Sequence, residues 1–388
     1  MASIALPLNR PKICILSTTP LIVHFFLRRH IQELAKFTEI ILVINPENDS
    51  YTPTLDLPVR IIPVKIQRRI KVIDDCLTVG QLYSLFRREK PDLVWAIAPK
   101  AGLLGMLSAW LAGIRHRVFI FQGEVWATRV GLGRQLLKTA DKLTAICATQ
   151  LLAVSQSEVS FLEKEGVVPP GKATVLGSGS ISGVNLARFR SDLYLRRMYR
   201  SAYNIPENAV ICLFLGRLTF DKGIADLAAA FAEASKTNAD LWLVFAGPEE
   251  DKAVEVIRSI CREAADRLVI CGFTDKPEAF LAMADFLCLP SYREGFGMVI
   301  LEAGAVGIPA IGSRIYGIVD AISEDKTGLL FTVGDVTELS RQMCRLVQEP
   351  ELREALGSAA KQRVAADFME EDVVKRYVDF FTDVLATK

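Results

Sequence analysis

Two glutamates, Glu294 and Glu302, stand eight positions apart in the run Ser291–Ser313, SYREGFGMVILEAGAVGIPAIGS. Paired carboxylates can do acid–base work, but the residues around them point elsewhere. A strand pattern, Asp285–Leu289, precedes them and closes at Pro290 and Ser291. Gly295 and Gly297 supply a turn, and the apolar run after Gly297 reads as a helix. Strand, turn and helix in that order offer backbone N–H groups to an anion at the helix start. Glu302 then lies roughly 7 Å along the helix from Gly297. A nucleotide's phosphates and ribose are about that far apart, and a carboxylate there could accept hydrogen bonds from ribose hydroxyls.

A second cluster is Gly216-Arg217-Leu218-Thr219-Phe220-Asp221-Lys222-Gly223, between a predicted strand, Ala209–Leu215, and a predicted helix, Ile224–Ser235. Arginine offers a bidentate fork to phosphate and lysine a compact charge. Together Arg217 and Lys222 could neutralise charge growing on a diphosphate leaving group. A solvated basic loop is the alternative. It loses ground because the glutamate segment follows another strand of the same predicted sheet.

Such residues need elements to hold them. Short apolar strands alternate with longer amphipathic helices along the chain, which implies parallel sheets covered on both faces. The first half predicts strands at Lys12–Ser17, Glu39–Ile44, Val59–Pro63, Leu93–Ile97, Arg117–Phe121, Leu151–Val154 and Ala173–Leu176. Helices are predicted at Pro20–Lys36, Asp74–Glu89, Ala101–Gly113, Leu132–Thr149 and Gln156–Glu165. In the second half strands are expected at Asp240–Ala246, Leu268–Cys271, Ile308–Ile311 and Gly328–Phe331, besides the two already named. Glu351–Ala366 and Glu370–Leu385 read as closing helices. The turn-rich Gly177–Gly183 reads as a hinge between two α/β units. The expected division is 1–185, 186–370 and a terminal helix over 371–388 that packs back on the first domain. Two such halves imply a cleft, with loops at the carboxyl ends of both sheets facing it.

The 388 residues are 51% hydrophobic and 23% charged, which fits a globular chain of two or three domains. No apolar run reaches the ~20 residues of a spanning helix, and Asn9, Arg10, Pro11 and Lys12 interrupt the start in a way that does not suit a signal peptide. Eight cysteines contain no C-x-x-C pair and mostly lie in apolar runs, so reduced, buried thiols are expected. Three histidines make a histidine metal site improbable, and no metal is expected. The net charge of +1 hides an asymmetry. Met1–Arg190 holds 24 Lys+Arg against 14 Asp+Glu, and the remainder 22 against 31. A net of +10 in the first part suggests an anionic partner such as nucleic acid, a membrane surface or a lipid diphosphate. Attraction between the two domains is the plainer account.

These segments together resemble a glycosyltransferase of family four, with the GT-B architecture of two Rossmann-like domains facing a cleft. The markers are G-R-x4-K-G at Gly216–Gly223, A-G at Ala246–Gly247, E-x7-E at Glu294–Glu302, P-K-A-G-L-L-G at Pro99–Gly105, and the hinge-like Leu176–Phe189. The likeness covers nearly the whole chain and is specific in combination. More narrowly, it is to bacterial enzymes that build polyprenyl-diphosphate-linked oligosaccharides for capsule, O-antigen or exopolysaccharide.

The resemblance implies a hexosyl or N-acetylhexosaminyl transferase with a nucleotide-diphosphate-sugar donor, of UDP or GDP type, held mainly by the second domain. Arg217 and Lys222 would contact the diphosphate, with Gly216 beside them. Glu302 would bind the ribose, and the backbone of Phe296, Gly297, Met298 and Val299 would add donors. Glu294 would lie near the sugar hydroxyls. Phe273, after the strand end Cys271-Gly272, would offer main-chain contacts to the base, a core aromatic being the alternative. The implied reaction retains the anomeric configuration. It is expected to be metal-independent, in keeping with the absence of an Asp-x-Asp motif, and the leaving phosphate itself would take the acceptor's proton.

Two departures concern the first domain. Relatives often carry histidines where this chain has Trp95-Ala96-Ile97-Ala98 and Gln122-Gly123-Glu124, and the first loop, Thr18-Thr19-Pro20, lacks their glycine pair. Lys100, Glu124 and Thr18 are the remaining polar candidates for acceptor recognition, with a surface role as the alternative for Lys100 and Glu124. Two basic-apolar segments, Pro63–Ile73 and His24–His30, have the composition of membrane-surface contacts. For the second, an amphipathic helix packed on its sheet is the stronger expectation.

The reading is therefore a peripheral enzyme at the cytoplasmic face of the inner membrane, acting on a lipid-linked saccharide. Two alternatives keep the fold: transfer to a soluble acceptor, or a non-catalytic nucleotide-sugar-binding partner. Nucleic acid is not expected, because the basic half lacks interleaved aromatics. A Rossmann dehydrogenase is excluded by the lack of G-x-G-x-x-G after the first strand.

Overall fold

The computed structural model describes residues 10–48, 55–67, 70–250 and 252–387. The amino-terminal stretch read for a leader, and Arg68 and Arg69 of the basic segment, lie outside the described residues. The chain divides into two compact units, Met1–Ser182 with Glu371–Lys388, and Gly183–Glu370.

Unit 1 has strands β1 (Lys12–Leu16), β2 (Glu39–Ile44), β3 (Arg60–Pro63), β4 (Leu93–Ile97), β5 (His116–Phe121), β6 (Gln150–Ala153) and β7 (Ala173–Val175). They form one parallel sheet in the order β3-β2-β1-β4-β5-β6-β7. Its helices are α1 (Pro20–Ile22), α2 (Arg28–Leu34), α3 (Val72–Glu89), α4 (Pro99–Leu111), α5 (Gly131–Cys147) and α6 (Gln156–Lys164). In β4 every residue is buried, as a strand covered on both faces requires.

The helix expected over Pro20–Lys36 is interrupted by a π-helical stretch, Val23–Leu27, between α1 and α2. The extra residue per turn re-aims the side chains. Val23, Leu27, His30, Ile31 and Leu34 are all buried in consequence, which matches the packed-helix reading of this segment. The other basic segment splits. Val64 and Ile66 turn into the core, whereas Ile70, Val72 and Ile73 remain exposed.

Unit 2 has helix α7 (Leu193–Ala202), strand β8 (Val210–Leu215), helix α8 (Ile224–Ala234), strand β9 (Leu241–Ala246), helix α9 (Ala253–Ile260) and strand β10 (Leu268–Ile270). It continues with α10 (Pro277–Met283), β11 (Phe286–Leu289), α11 (Met298–Val306), β12 (Ala310–Ser313), α12 (Ile318–Ala321), β13 (Gly328–Phe331), α13 (Val336–Gln348) and α14 (Pro350–Asp367). The parallel sheet runs β10-β9-β8-β11-β12-β13. The strand expected at Ile308–Ile311 starts two residues later, because Gly307 ends α11 at φ 96° and Ile308 and Pro309 form the connector.

The last helix, α15 (Glu370–Ala386), belongs to unit 1 over most of its length. The Tyr377 hydroxyl donates to the Ser180 carbonyl at 3.1 Å. The rings of Tyr377 and Phe381 lie 6.3 and 4.6 Å from Trp95, and His30 sits edge-on to Tyr377 at 5.0 Å. All eight cysteines are free; five are buried, Cys271 and Cys344 are half-buried, and Cys76 is exposed on α3. Among the described residues no helix is long and apolar enough to cross a membrane.

Candidate functional site

In an open parallel sheet the crevice for a ligand opens where successive connections turn to opposite sides. In unit 2 that point lies between β8 and β11: the chain leaves β8 toward β9 and β10, then returns to β11 and goes on to β12. The loops leaving these two strands are Gly216–Gly223 and Pro290–Gly297. They carry Arg217, Lys222 and Glu294, three of the residues singled out from the sequence.

The two loops are locked together. Tyr292 N–H donates to the Asp221 carbonyl at 2.9 Å. Gly223 has φ 70°, and a Cβ on it would lie 2.0 Å from the Pro290 carbonyl oxygen, so only glycine permits this approach. Lys222 Nζ reaches Glu294 Oε1 at 2.5 Å, and Ser291 Oγ donates to the same oxygen at 2.9 Å. Both charged side chains are largely buried. Arg217 is exposed and bonds Glu250, after β9, at 3.1 and 3.2 Å. Such an exposed pair is weak, so the guanidinium can exchange Glu250 for another anion at little cost.

Two charged residues of these loops escaped the sequence reading. Arg293 pairs with Asp221 at 3.4 Å, and Thr219 Oγ1 donates to Asp221 at 2.5 Å. Burial alone would raise the Asp221 carboxyl. The Thr219 hydroxyl and the Lys222, Arg293 and Arg217 charges outweigh it and hold it below its ordinary value. Asp221 thus reports a positive field at the crevice. Arg293 directly precedes Glu294, and its neighbourhood was the only signal available.

Helix α11 starts at this crevice. Gly297, at φ 77°, is its N-cap and brings no side chain to that end, and the first turn has no acidic residue. The N-terminal end of its dipole therefore faces the crevice. Met298 and Val299 form that turn. Phe296 is buried against Phe368, ring centroids 5.5 Å apart, and anchors the entry.

Glu302 lies one turn beyond Met298. It makes no hydrogen bond or ion pair among the described residues. Its side chain keeps some exposed area, yet its carboxyl sits deep among protein atoms. Burial pushes that carboxyl up to about 7, with Arg188 lowering it and Glu278 raising it. Arg188 and Glu278 are themselves paired at 2.8 Å. A carboxylate kept this poorly satisfied is suited to taking bonds from a ligand's hydroxyls.

At the adjacent edge, Gly247 N–H donates to the Gly272 carbonyl at 2.7 Å, joining the exits of β9 and β10. Phe273 is 56% exposed, which removes the core-aromatic alternative. Gly216 N–H bonds the Ala246 carbonyl at 2.9 Å and so continues the β8–β9 ladder to the crevice.

In unit 1 the corresponding reversal lies between β1 and β4. Thr18 follows β1 and is buried. Lys100, in the first turn of α4, pairs with Asp75 Oδ1 of α3 at 2.7 Å. Ala98, between β4 and α4, has φ 76°, a strained value for a residue with a Cβ. Glu124, after β5, is 2% exposed. Beside it Glu158 accepts from Gly123 N–H at 2.5 Å and Val154 N–H at 2.9 Å. Burial first, and the Glu124 charge second, push the Glu158 carboxyl well above its ordinary value. Neither Lys100 nor Glu124 is a surface residue, so that alternative falls for both. Among the described residues no group of three or more His, Cys, Asp or Glu could hold a metal ion.

Known proteins agree with this geometry on both units. The family described as glycosyl transferase 4-like domain matches residues 27–179, and glycosyl transferases group 1 matches 196–363. A capsular polysaccharide biosynthesis glycosyltransferase of Staphylococcus aureus is 28% identical over 313 residues, 80% of this chain and 81% of that one. The UDP-Gal:alpha-D-GlcNAc-diphosphoundecaprenol alpha-1,3-galactosyltransferase of Escherichia coli is 24% identical over 89% of each chain. The solved sucrose-phosphate synthase of Thermosynechococcus elongatus superposes with a TM-score of 0.81 at 19% identity, over 98% of this chain and 100% of that one, which shows a shared fold. Transfer of a glycosyl group is the activity that both family descriptions share. With a glycosyltransferase family matched on each unit and the same fold in solved relatives, this chain is a GT-B glycosyltransferase resembling those of bacterial capsule, lipopolysaccharide and O-antigen synthesis.

Proposed function

We propose that the chain transfers a sugar, with retention at the anomeric carbon, from a UDP- or GDP-sugar to a saccharide carried on polyprenyl diphosphate. One observation carries the site assignment: Arg217, Lys222, Arg293 and Glu294 converge from two loops on the sheet's reversal point, in front of the start of α11. The donor diphosphate sits there. Arg217 and Lys222 take its charge, and the N–H groups of Gly297, Met298 and Val299 add to them. Glu302, one turn on, accepts from the ribose hydroxyls, and the Phe273 backbone meets the base. Glu294 turns to the sugar hydroxyls once the phosphate engages Lys222.

In the reaction the anomeric carbon's bond to the diphosphate oxygen breaks, and a bond to the acceptor oxygen forms on the same face. The acceptor's proton passes to the departing phosphate oxygen. Charge accumulates on the leaving group, so Arg217, Lys222 and the helix dipole act on the transition state more than on the bound donor. The acceptor belongs to unit 1, where Thr18, Lys100 and Glu124 stand on the loops after β1, β4 and β5. The diphosphoundecaprenol acceptor in the printed name of the Escherichia coli relative, and the basic surplus of the first half, support a lipid-linked acceptor and work at the cytoplasmic membrane face.

The test is transfer from labelled donor to a lipid-linked acceptor by Lys222→Ala and Glu302→Ala proteins whose folding is verified by circular dichroism. Loss of transfer is expected in both. Full activity in either removes the site assignment, and an inverted anomeric product removes retention.

A further inference from the structure

Helices α3, α4 and α5 lie side by side in unit 1, with α4 packed between the other two. Their outward sides carry exposed apolar side chains. On α5, Leu132, Leu136, Leu143 and Ile146 recur at helical spacing and are exposed, Leu132 by 90% and Ile146 by 72%. This stripe is about 21 Å long. The opposite side of the helix, with Asp141 and Ala145, is buried. Helix α4 is apolar all round except for Lys100 and the buried Ser108. Its outward Leu103 and Leu107 are half-buried, and Trp110 is 54% exposed. On α3, Ile73 and Leu77 are exposed, and Ile70 and Val72 extend the apolar surface at its entry. Soluble chains rarely leave apolar side chains on three adjacent helices open to water.

The charges around this face are mostly positive. The single acid of α5, Asp141, is buried and accepts from Trp126 Nε1 at 2.7 Å. In the first turn of α3, Asp74 faces Lys71 at 3.7 Å and Asp75 is held by Lys100. The rim carries Arg129 before α5, Lys142 one turn from Ile146, and Arg87 near the end of α3. Two copies meeting through this face would bring like charges together. A bilayer with anionic headgroups complements both features, since acyl chains take the leucines and headgroups the cations.

We propose that the outer face of α3, α4 and α5 seats on an anionic membrane surface, a placement that rests on the reading of a lipid-linked acceptor. Cys76 provides a native probe, being the exposed cysteine among the described residues and lying between Ile73 and Leu77. The full-length protein, labelled there with a polarity-sensitive dye, is mixed with vesicles of phosphatidylglycerol or of phosphatidylcholine, with the Cys76→Ser protein as the labelling control. The expected result is a blue shift and co-sedimentation with the anionic vesicles alone, both weakened by salt. The double variant Leu132→Glu/Leu136→Glu should lower the vesicle partition coefficient by about tenfold or more per leucine. Its thermal stabilisation by UDP should match that of the parent, which shows that it folds and keeps its donor site. Equal vesicle binding by parent and variant, an unshifted dye on bound protein, or a dimer in sedimentation velocity that the variant abolishes would each overturn the placement. Transfer only to a soluble saccharide, by protein that still binds anionic vesicles through this face, would overturn the acceptor reading and leave the surface standing.

Discussion

Replacing Glu302 by glutamine should make the donor-free protein more stable at pH 8 and its nucleotide complex weaker. The carboxyl is held at about 7 against an ordinary 4.5, burial being the main cause. A raised carboxyl binds its proton more tightly in the folded chain than in the unfolded one. The folded state therefore carries no penalty below the ordinary value, accumulates one as pH climbs toward 7, and bears all of it above. The full shift corresponds to about 3 kcal/mol. Solvent reaching part of the side chain reduces this to about 2 kcal/mol. For a unit of this size that is roughly 4–8 °C in Tm. Glutamine keeps the shape and carries no charge, so Glu302→Gln should melt higher than the parent at pH 8 and level with it at pH 5. Nucleotide binding should move the other way. Losing charged acceptance from ribose hydroxyls costs about 1.5–3 kcal/mol, or roughly 10- to 100-fold in Kd. Thermal unfolding from pH 5 to pH 8, with and without UDP, reads both effects. Identical melting of variant and parent at every pH without nucleotide would refute the burial argument. An undiminished UDP-induced shift in the variant would refute the ribose assignment.

Lys222→Ala should lower kcat by about 10²-fold or more, the range for removing one preorganised transition-state donor. Glu294→Gln should cost less, and a double variant no worse than Lys222→Ala would show that the lysine's main partner is the donor. Gly223→Ala forces a Cβ onto the Pro290 carbonyl at φ 70° and should destabilise unit 2 by at least ~2 kcal/mol, measured as a fall in the urea midpoint. His30 is held neutral by burial, down to about 4, with the nearby Phe26 and Ile181 backbone partly offsetting it. Its folded value lies below the unfolded 6.5, so stability is complete above 6.5 and is lost as pH falls toward 4. His30→Leu should flatten that acid limb in equilibrium unfolding followed between pH 7 and pH 4.

The elements were legible because their burial is written in composition. Strands covered on both faces are unbroken apolar runs, and β2, β4 and β13 have the bounds that the runs have. The break in Pro20–Lys36 left no such mark, because a π-helical stretch changes which residues face inward without changing their types. The candidate site was legible as two loops after two strands. Its internal wiring was not, since Lys222 and Glu294 are 72 positions apart and only the sheet order makes them neighbours. Arg293 was hidden for a related reason, as nothing in the linear order marks Asp221 as its partner. Phe273 was ambiguous as an aromatic after a strand, and only its exposure decides.

The Lys222–Glu294 contact bears on how the crevice waits for its donor. Both side chains are mostly withdrawn from water, at 19% and 14% exposure, so each would be costly to leave unpaired. Ser291 and the Asp221–Arg293 pair hold the arrangement from either side. A diphosphate arriving at the start of α11 offers Lys222 a second anion and leaves Glu294 needing new donors. Sugar hydroxyls are suitable donors, and a bare nucleoside diphosphate has none to give at that position. In the proposed mechanism the same pair that orders the crevice would thus favour a sugar-bearing donor over the product that remains after transfer. In the proposed site the glutamates of the E-x7-E spacing would then divide the donor between them, Glu302 at the nucleoside end and Glu294 at the sugar end, with the cations and the helix start at the phosphates between.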